Sequence, residues 1–135
     1  MVFELHHLSA VEQRDWLRRG EITPREIAEH YLARIERIDP AVGAFLTVTA
    51  EAALERADAL LREDRRAAAL WGLPHADKDL VARAGVRTTY GSRLAADLVP
   101  DASDPLIEVL DAAGAVSLGK TNTPEFGLPS YTENR

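Results

Sequence analysis

Gly114–Thr121 reads "GAVSLGKT" and satisfies, letter for letter, the phosphate-loop pattern G-x-x-x-x-G-K-[ST]. A working phosphate loop follows a strand and opens a helix whose N-terminus faces the anion. Here the order is reversed. "DPLIEVLDAA", Asp104–Ala113, comes first and predicts a helix from Leu106 to about Ala113, with Asp104-Pro105 as its start and Gly114 as its C′ residue. Ala115, Val116, Ser117 and Leu118, where the loop's wildcards would stand, look like buried strand. Pro124 stands three residues after Thr121, and no long periodic helix follows. The stretch therefore reads as a helix cap, a short buried strand "AVSLG" and a strand-end turn at Gly119. "KTNTPEFGLPSYTENR" is expected to follow as loop. This context argues against a nucleotide-binding loop, which ranks last among the functional readings, and a helix feeding a buried strand points to an α/β fold.

Upstream, the pattern agrees. Ser9 with Glu12 three residues later is a capping box, and Gly20 is a natural stop. Thr23-Pro24-Arg25-Glu26 combines an N-cap Thr, Pro at the first helical position and Glu at the third. Ile27, Tyr31, Ile35 and Ile38 then recur at helical spacing, and Asp39-Pro40 is expected to end that helix. "AFLTVTA", Ala44–Ala50, is rich in β-branched and aromatic residues and predicts a strand. From Glu51 to about Asp64 the helical period returns, with Leu54, Ala57 and Leu61 on one face. A further strand-like piece lies around His75 to Val81, inside a segment punctuated by Gly and Pro. No repeat, low-complexity tract or linker divides the chain, so its 135 residues are read as belonging to one domain. The expected end at Asn134-Arg135 falls in a polar loop with no closing element, as in the front part of something longer.

Composition narrows the functional classes. The hydrophobic fraction of 46% and charged fraction of 28% are ordinary for a globular protein. A net charge of −6 argues against general attraction to nucleic acid. "MVFELHHLS" lacks the basic and apolar regions of a signal peptide, and no run has the length of a membrane span. With no cysteine there is no disulfide framework, thiolate metal site or thiol nucleophile. A reducing cytoplasm is the expected location.

Of sixteen Lys and Arg residues, only Lys78 and Lys120 are lysine. In "PHADKDL" the alternation of an extended chain places His75, Asp77 and Asp79 on one side, and Ala76, Lys78 and Leu80 on the other. Away from the carboxylates, Lys78 would be desolvated and able to serve as a general base. The alternative is a surface lysine paired with Asp77 or Asp79. His75, Asp77 and Asp79 also suggest a metal site, but residues two apart on a strand lie roughly 6–7 Å apart and converge poorly on one ion. The triplet reads as a polar strand face, and His6, His7 and His30 have no metal-ligand spacing.

Three segments together resemble the amidase signature family of serine amidohydrolases: "GLPHADKDLVARAGVRTTYGS" (Gly72–Ser92), "DPLIEVLDAAGA" and "VSLGKTNTPEFGLPSYTEN". The resemblance extends back to "LSAVEQRDWLRRGEITPREIAEHYLARIERIDP". It implies an α/β fold, the N-terminal part of a mixed sheet flanked by helices. Residues 1–135 would then be the first part of a single catalytic domain, with the remainder absent. It further implies hydrolysis of linear amides through a Ser–cis-Ser–Lys triad, with Lys78 as the base, acting through the bridging serine on the nucleophile. The cis bond at a non-proline residue costs about 3–4 kcal/mol and persists only where a site enforces it. Lys120 would sit in a strand-to-loop element beside the site, and Gly127 and Leu128 in a region lining the acyl channel. The resemblance implies no cofactor, no metal, a small-molecule amide substrate and no direct nucleic-acid contact, and it leaves homo-oligomer formation open. The A subunit of glutamyl-tRNA(Gln) amidotransferase is an alternative within the family, and a non-catalytic truncated product is an alternative outside it. Asp77 stands where many members carry an apolar residue, and Trp71 where many carry His. The Gly/Ser-rich signature with both serines is expected beyond residue 135, so Ser92, Ser117 and Ser130 are not assigned as nucleophile and the chain alone is expected to be inactive.

Overall fold

In the computed structural model, which describes residues 4–63 and 65–132, four helices pack on a three-stranded mixed sheet. The order is α1 (Ala10–Arg19), α2 (Pro24–Val42), β1 (Phe45–Val48), α3 (Ala50–Arg62), β2 (Pro74–Lys78), α4 (Pro105–Ala112) and β3 (Val116–Thr121). Short 3-10 turns cover Leu5–His7, Arg93–Ala95 and Glu125–Gly127. The expected α/β class is therefore what the chain adopts. Asp64, the expected end of the third helix, and Asn134-Arg135 lie outside the described residues.

The helix starts follow from their caps. Ser9 Oγ accepts from the Glu12 amide while the Glu12 carboxylate returns to the Ser9 amide; Thr23 and Glu26 repeat the arrangement at α2. One boundary differs. Helix α2 runs through Pro40 to Val42 and stops at Gly43, rather than ending at Asp39. The Asp39 carboxylate accepts from the amides of Ala44 and Phe45, and the Asp39 carbonyl from Gly43 N at 2.7 Å. These bonds hold an α turn that the following proline alone disfavours.

Strand β3 is central: β1 pairs with it antiparallel and β2 parallel. Leu17, Ile22, Ile27, Ala28, Ala53, Ala57, Leu60, Trp71, Val116 and Leu118 form one core between the helices and the sheet. Two positions on the expected faces fall elsewhere. Ile38 is 37% exposed and borders an open groove, and on α3 the buried residue is Leu60 while Leu61 is exposed. Ala53, Ala57 and Leu60 make the true i, i+4, i+7 face.

Gly119 also departs from the expected turn, because β3 continues through it to Thr121. Its φ is +147°, and a Cβ there would lie 2.1 Å from the Thr47 carbonyl oxygen. Register shifts at this point: His75 pairs with Ser117 but Asp77 with Lys120, so two residues of β2 span three of β3. That is a bulge, and it turns Lys120 to the face of Ser117 and Asp77 instead of the face of Val116 and Leu118.

Candidate functional site

Lys78 is the last residue of β2 and its side chain is exposed, whereas its neighbours Asp77 and Asp79 are both buried. The predicted alternation is thus present. Two expectations change. Lys78 is not desolvated within this chain, nor, among the described residues, does it form an ion pair with either aspartate. The side carrying Asp77 and Asp79 is not a solvated polar face; it points into the molecule and is occupied by cations.

Asp77 is held from three directions. Arg83 Nε donates at 2.6 Å and Ser117 Oγ at 2.9 Å, and His75 Nε2 lies 3.0 Å from the other oxygen. Arg83 continues to Asp111 at 2.8 Å, joining β2 to α4. Burial alone would raise the Asp77 carboxyl, but the bonds from His75, Arg83 and Ser117 and the Arg83 charge hold it well below the usual carboxylate range. Burial disfavours the Arg83 charge, yet the two aspartates raise its pKa overall. With both of its oxygens committed to protein donors, Asp77 is not arranged as a metal ligand.

Asp79 opens the turn after Lys78. Its Oδ2 accepts from the Thr89 amide at 2.8 Å and the Thr89 hydroxyl at 2.6 Å. Its Oδ1 lies 3.7 Å from Lys120 Nζ and has no hydrogen-bond partner among the described residues. Lys120 is completely enclosed, with its ammonium donating to the Val81 carbonyl and to Thr88 Oγ1, the latter at 3.1 Å. Burial pushes the Lys120 pKa down, and the Asp79 and Asp77 charges act against that shift. Of the two lysines, then, the desolvated one is Lys120 and the accessible one is Lys78.

After β3, Gly127 ends the Glu125–Gly127 turn and Leu128 caps it. That turn is anchored by Phe126 N to the Tyr90 carbonyl at 2.8 Å and by Ser92 Oγ to Glu125 at 2.6 Å. Phe126 and Tyr90 both have positive φ, of 50° and 53°, which costs on the order of 1 kcal/mol each for side-chain-bearing residues. A Cβ on Gly127 would lie 2.8 Å from Leu80, so Gly127 is brought beside the turn that follows Lys78. Leu128 is 85% exposed.

The sequence reading missed one cluster. Glu4, His6 and His30 offer ligand-type atoms that all lie within 4.8 Å of one another. No local spacing announces it, because His6 and His30 are 24 positions apart. Arg34 Nη1 lies 2.9 Å from His6 Nε2. Guanidinium only donates, so Nε2 accepts and the proton sits on Nδ1, the atom that faces Glu4 and His30. The cluster is a hydrogen-bonded histidine pair in that tautomer.

A family model described as Amidase matches residues 26–135. The glutamyl-tRNA(Gln) amidotransferase A subunit of Acinetobacter baumannii is 40% identical over 133 residues, which is 97% of this chain and 27% of that protein. The chain thus spans about a quarter of the length of such relatives. Among solved structures, the native peptide amidase of Stenotrophomonas maltophilia is 31% identical with a TM-score of 0.80, covering 87% of this chain and 25% of that one. An inhibitor-bound member of a vestigial protein complex, tied to the origins of an s-triazine catabolic enzyme, is 36% identical with a TM-score of 0.86; the match covers 94% of this chain and 29% of that one. Among the described residues no helix is long and apolar enough to cross a membrane.

Proposed function

The chain belongs to the amidase signature family, and we propose that residues 1–135 supply the N-terminal part of an amidase catalytic domain in which Lys78 is the base. The observation that carries this reading is the contrast between the two lysines. Lys120 is enclosed and donates to Val81 O and Thr88 Oγ1, whereas Lys78 stands exposed at the end of β2, open to whatever packs there. A base needs the neutral amine, and loss of water favours that form. Cover from further chain over the end of β2 would provide it.

In this reading neutral Lys78 Nζ takes the proton of a bridging serine, which takes that of the nucleophilic serine. Both serines are expected in sequence that follows Arg135. The nucleophile's oxygen bonds to the amide carbonyl carbon, the C–N bond breaks, and the amine leaves carrying a proton returned through the same chain. Water, or an amine, then attacks the acyl-enzyme and restores the serine. Gly127, beside Leu80, and the exposed Leu128 would line the acyl side of the substrate. No cofactor or metal is needed for these steps.

A second reading within the family is an amidotransferase A subunit, favoured by the 40% identity to the Acinetobacter baumannii protein. The acyl-enzyme chemistry is the same, but tRNA and a second protein take part. One experiment addresses both. The complete gene product carrying residues 1–135 is assayed for amine or ammonia release from an aryl acylamide, a peptide amide and glutamine. Hydrolysis of simple amides without partners, lost by about 10³-fold or more in Lys78→Ala, is the expected result. Release from glutamine only, and only with a co-purifying protein, selects the amidotransferase. Residues 1–135 alone are expected to release nothing. Full activity in Lys78→Ala, or activity of the isolated 135-residue chain, refutes the assignment.

A further inference from the structure

Lys120 is not used by the chemistry above, yet it is a fully enclosed cation. Burying an ammonium is costly unless each proton finds an acceptor. Its ammonium donates to Val81 O and Thr88 Oγ1 and forms an ion pair with Asp79 Oδ1 at 3.7 Å. All three belong to the segment that leaves β2 immediately after Lys78. Asp77, the other carboxylate on this face, is already committed to Arg83, Ser117 and His75. The same short segment is tied on its backbone: Asp79 N donates to Thr121 O at 3.0 Å, and Val81 N to the carbonyl of Lys78 itself at 3.0 Å. The bulge at Gly119 is what delivers Lys120 to this face.

We infer that Lys120 is a positioning residue: its ammonium fixes the Asp79–Val81 turn and so sets the direction in which Lys78 leaves the sheet. The catalytic meaning of this rests on Lys78 being the base; the structural part does not. Lys120 cannot itself reach a substrate, since no part of it is exposed. Removing it strands the Val81 carbonyl and an Asp79 oxygen that has no other partner among the described residues, and leaves Lys78 attached to a loosened turn.

The test has two arms. In the complete gene product, amide hydrogen exchange is compared between wild type and Lys120→Met. Exchange at Asp79 and Val81 is expected to quicken by about 10-fold or more, as loss of a charge-assisted bond implies. Exchange at Ile27 and Ala53, in the first turns of α2 and α3, is expected to change by less than about threefold. Equal acceleration everywhere would mean that Lys120 only adds global stability, and no acceleration would mean that the turn stands without it; either overturns the inference. Thr88→Val removes one acceptor with little change of shape and gives the same local pattern more weakly, so the question is answered even if Lys120→Met does not fold. In the complete gene product, Lys120→Met is expected to lower kcat about 10-fold with KM held within about twofold. Unchanged kcat, or a raised KM alone, overturns the catalytic half. If Lys78→Ala leaves hydrolysis intact, the assignment of the base fails while the exchange arm still judges the turn.

Discussion

Replacing Gly119 with alanine puts a methyl carbon 2.1 Å from the Thr47 carbonyl oxygen and 3.0 Å from Val48 Cα. Both are backbone atoms of β1, so no side chain can swing aside. The strands must separate by about 1 Å, or the bulge must flatten. Flattening restores strict alternation and turns Lys120 toward Val116 and Leu118, where an ammonium has no acceptor. Separation breaks the pairing of Thr47 with Lys120. An overpacked contact of this kind costs roughly 1–3 kcal/mol. The φ of +147° adds roughly another 1–3 kcal/mol for any residue with a Cβ. The sum, about 2–6 kcal/mol, is a large part of a typical domain's stability. For a chain of this size it corresponds to a fall in melting temperature of at least about 6 °C. Gly43→Ala is the matched control. Gly43 also has positive φ, +65°, but nothing lies within 4 Å of its added Cβ. It therefore carries only the left-handed penalty, about 1–2 kcal/mol. Urea unfolding followed by circular dichroism measures both variants. If Gly119→Ala is no worse than Gly43→Ala, the close approach of β1 is not what requires glycine and the account of the bulge is wrong.

Two further outcomes follow from the electrostatics and the caps. The Asp77 carboxyl is held below its ordinary value in the folded chain, so the folded state binds fewer protons there than the unfolded one. Its stabilisation is complete above the ordinary carboxylate range and is lost as pH falls below about 4 toward the folded value; Asp77→Asn, followed by urea unfolding across that range, is expected to flatten the acid loss. Thr23→Ala removes the acceptor for Glu26 N at 3.1 Å and half of the capping box, and is expected to cost about 1 kcal/mol in urea unfolding with no change in the slope.

The elements with local causes were legible. The capping boxes at Ser9–Glu12 and Thr23–Glu26, the proline start of α4 and the apolar run into β3 each depend on neighbours a few residues away. Pro40 misled because its local preference was outweighed by Asp39, which bonds two amides beyond the helix. The Arg83–Asp111 and Asp79–Lys120 pairs join residues brought together by the crossover from β2 through α4 to β3, so spacing along the chain does not reveal them. One signal was available. A glycine inside a strand pattern often marks a bulge or a close backbone approach, and Gly119 is both.

Read as a turn, Gly119 ends β3 and leaves Lys120 in a loop. Read as a bulge, it extends the strand by two residues and reverses the face on which Lys120 projects. The local geometry at Gly119 therefore decides what each lysine can do. With the bulge, Lys120 is enclosed against Asp79 and Val81 O, and Lys78, on the opposite side of β2 from Asp77, stays exposed. Without it, an ammonium would face the apolar core and the Asp79 carboxylate would be buried with no cation beside it. A sequence that placed apolar residues at both Asp79 and Lys120 would satisfy the same burial. It would leave the carbonyl of Val81 without its donor, and with it the turn from which Lys78 projects.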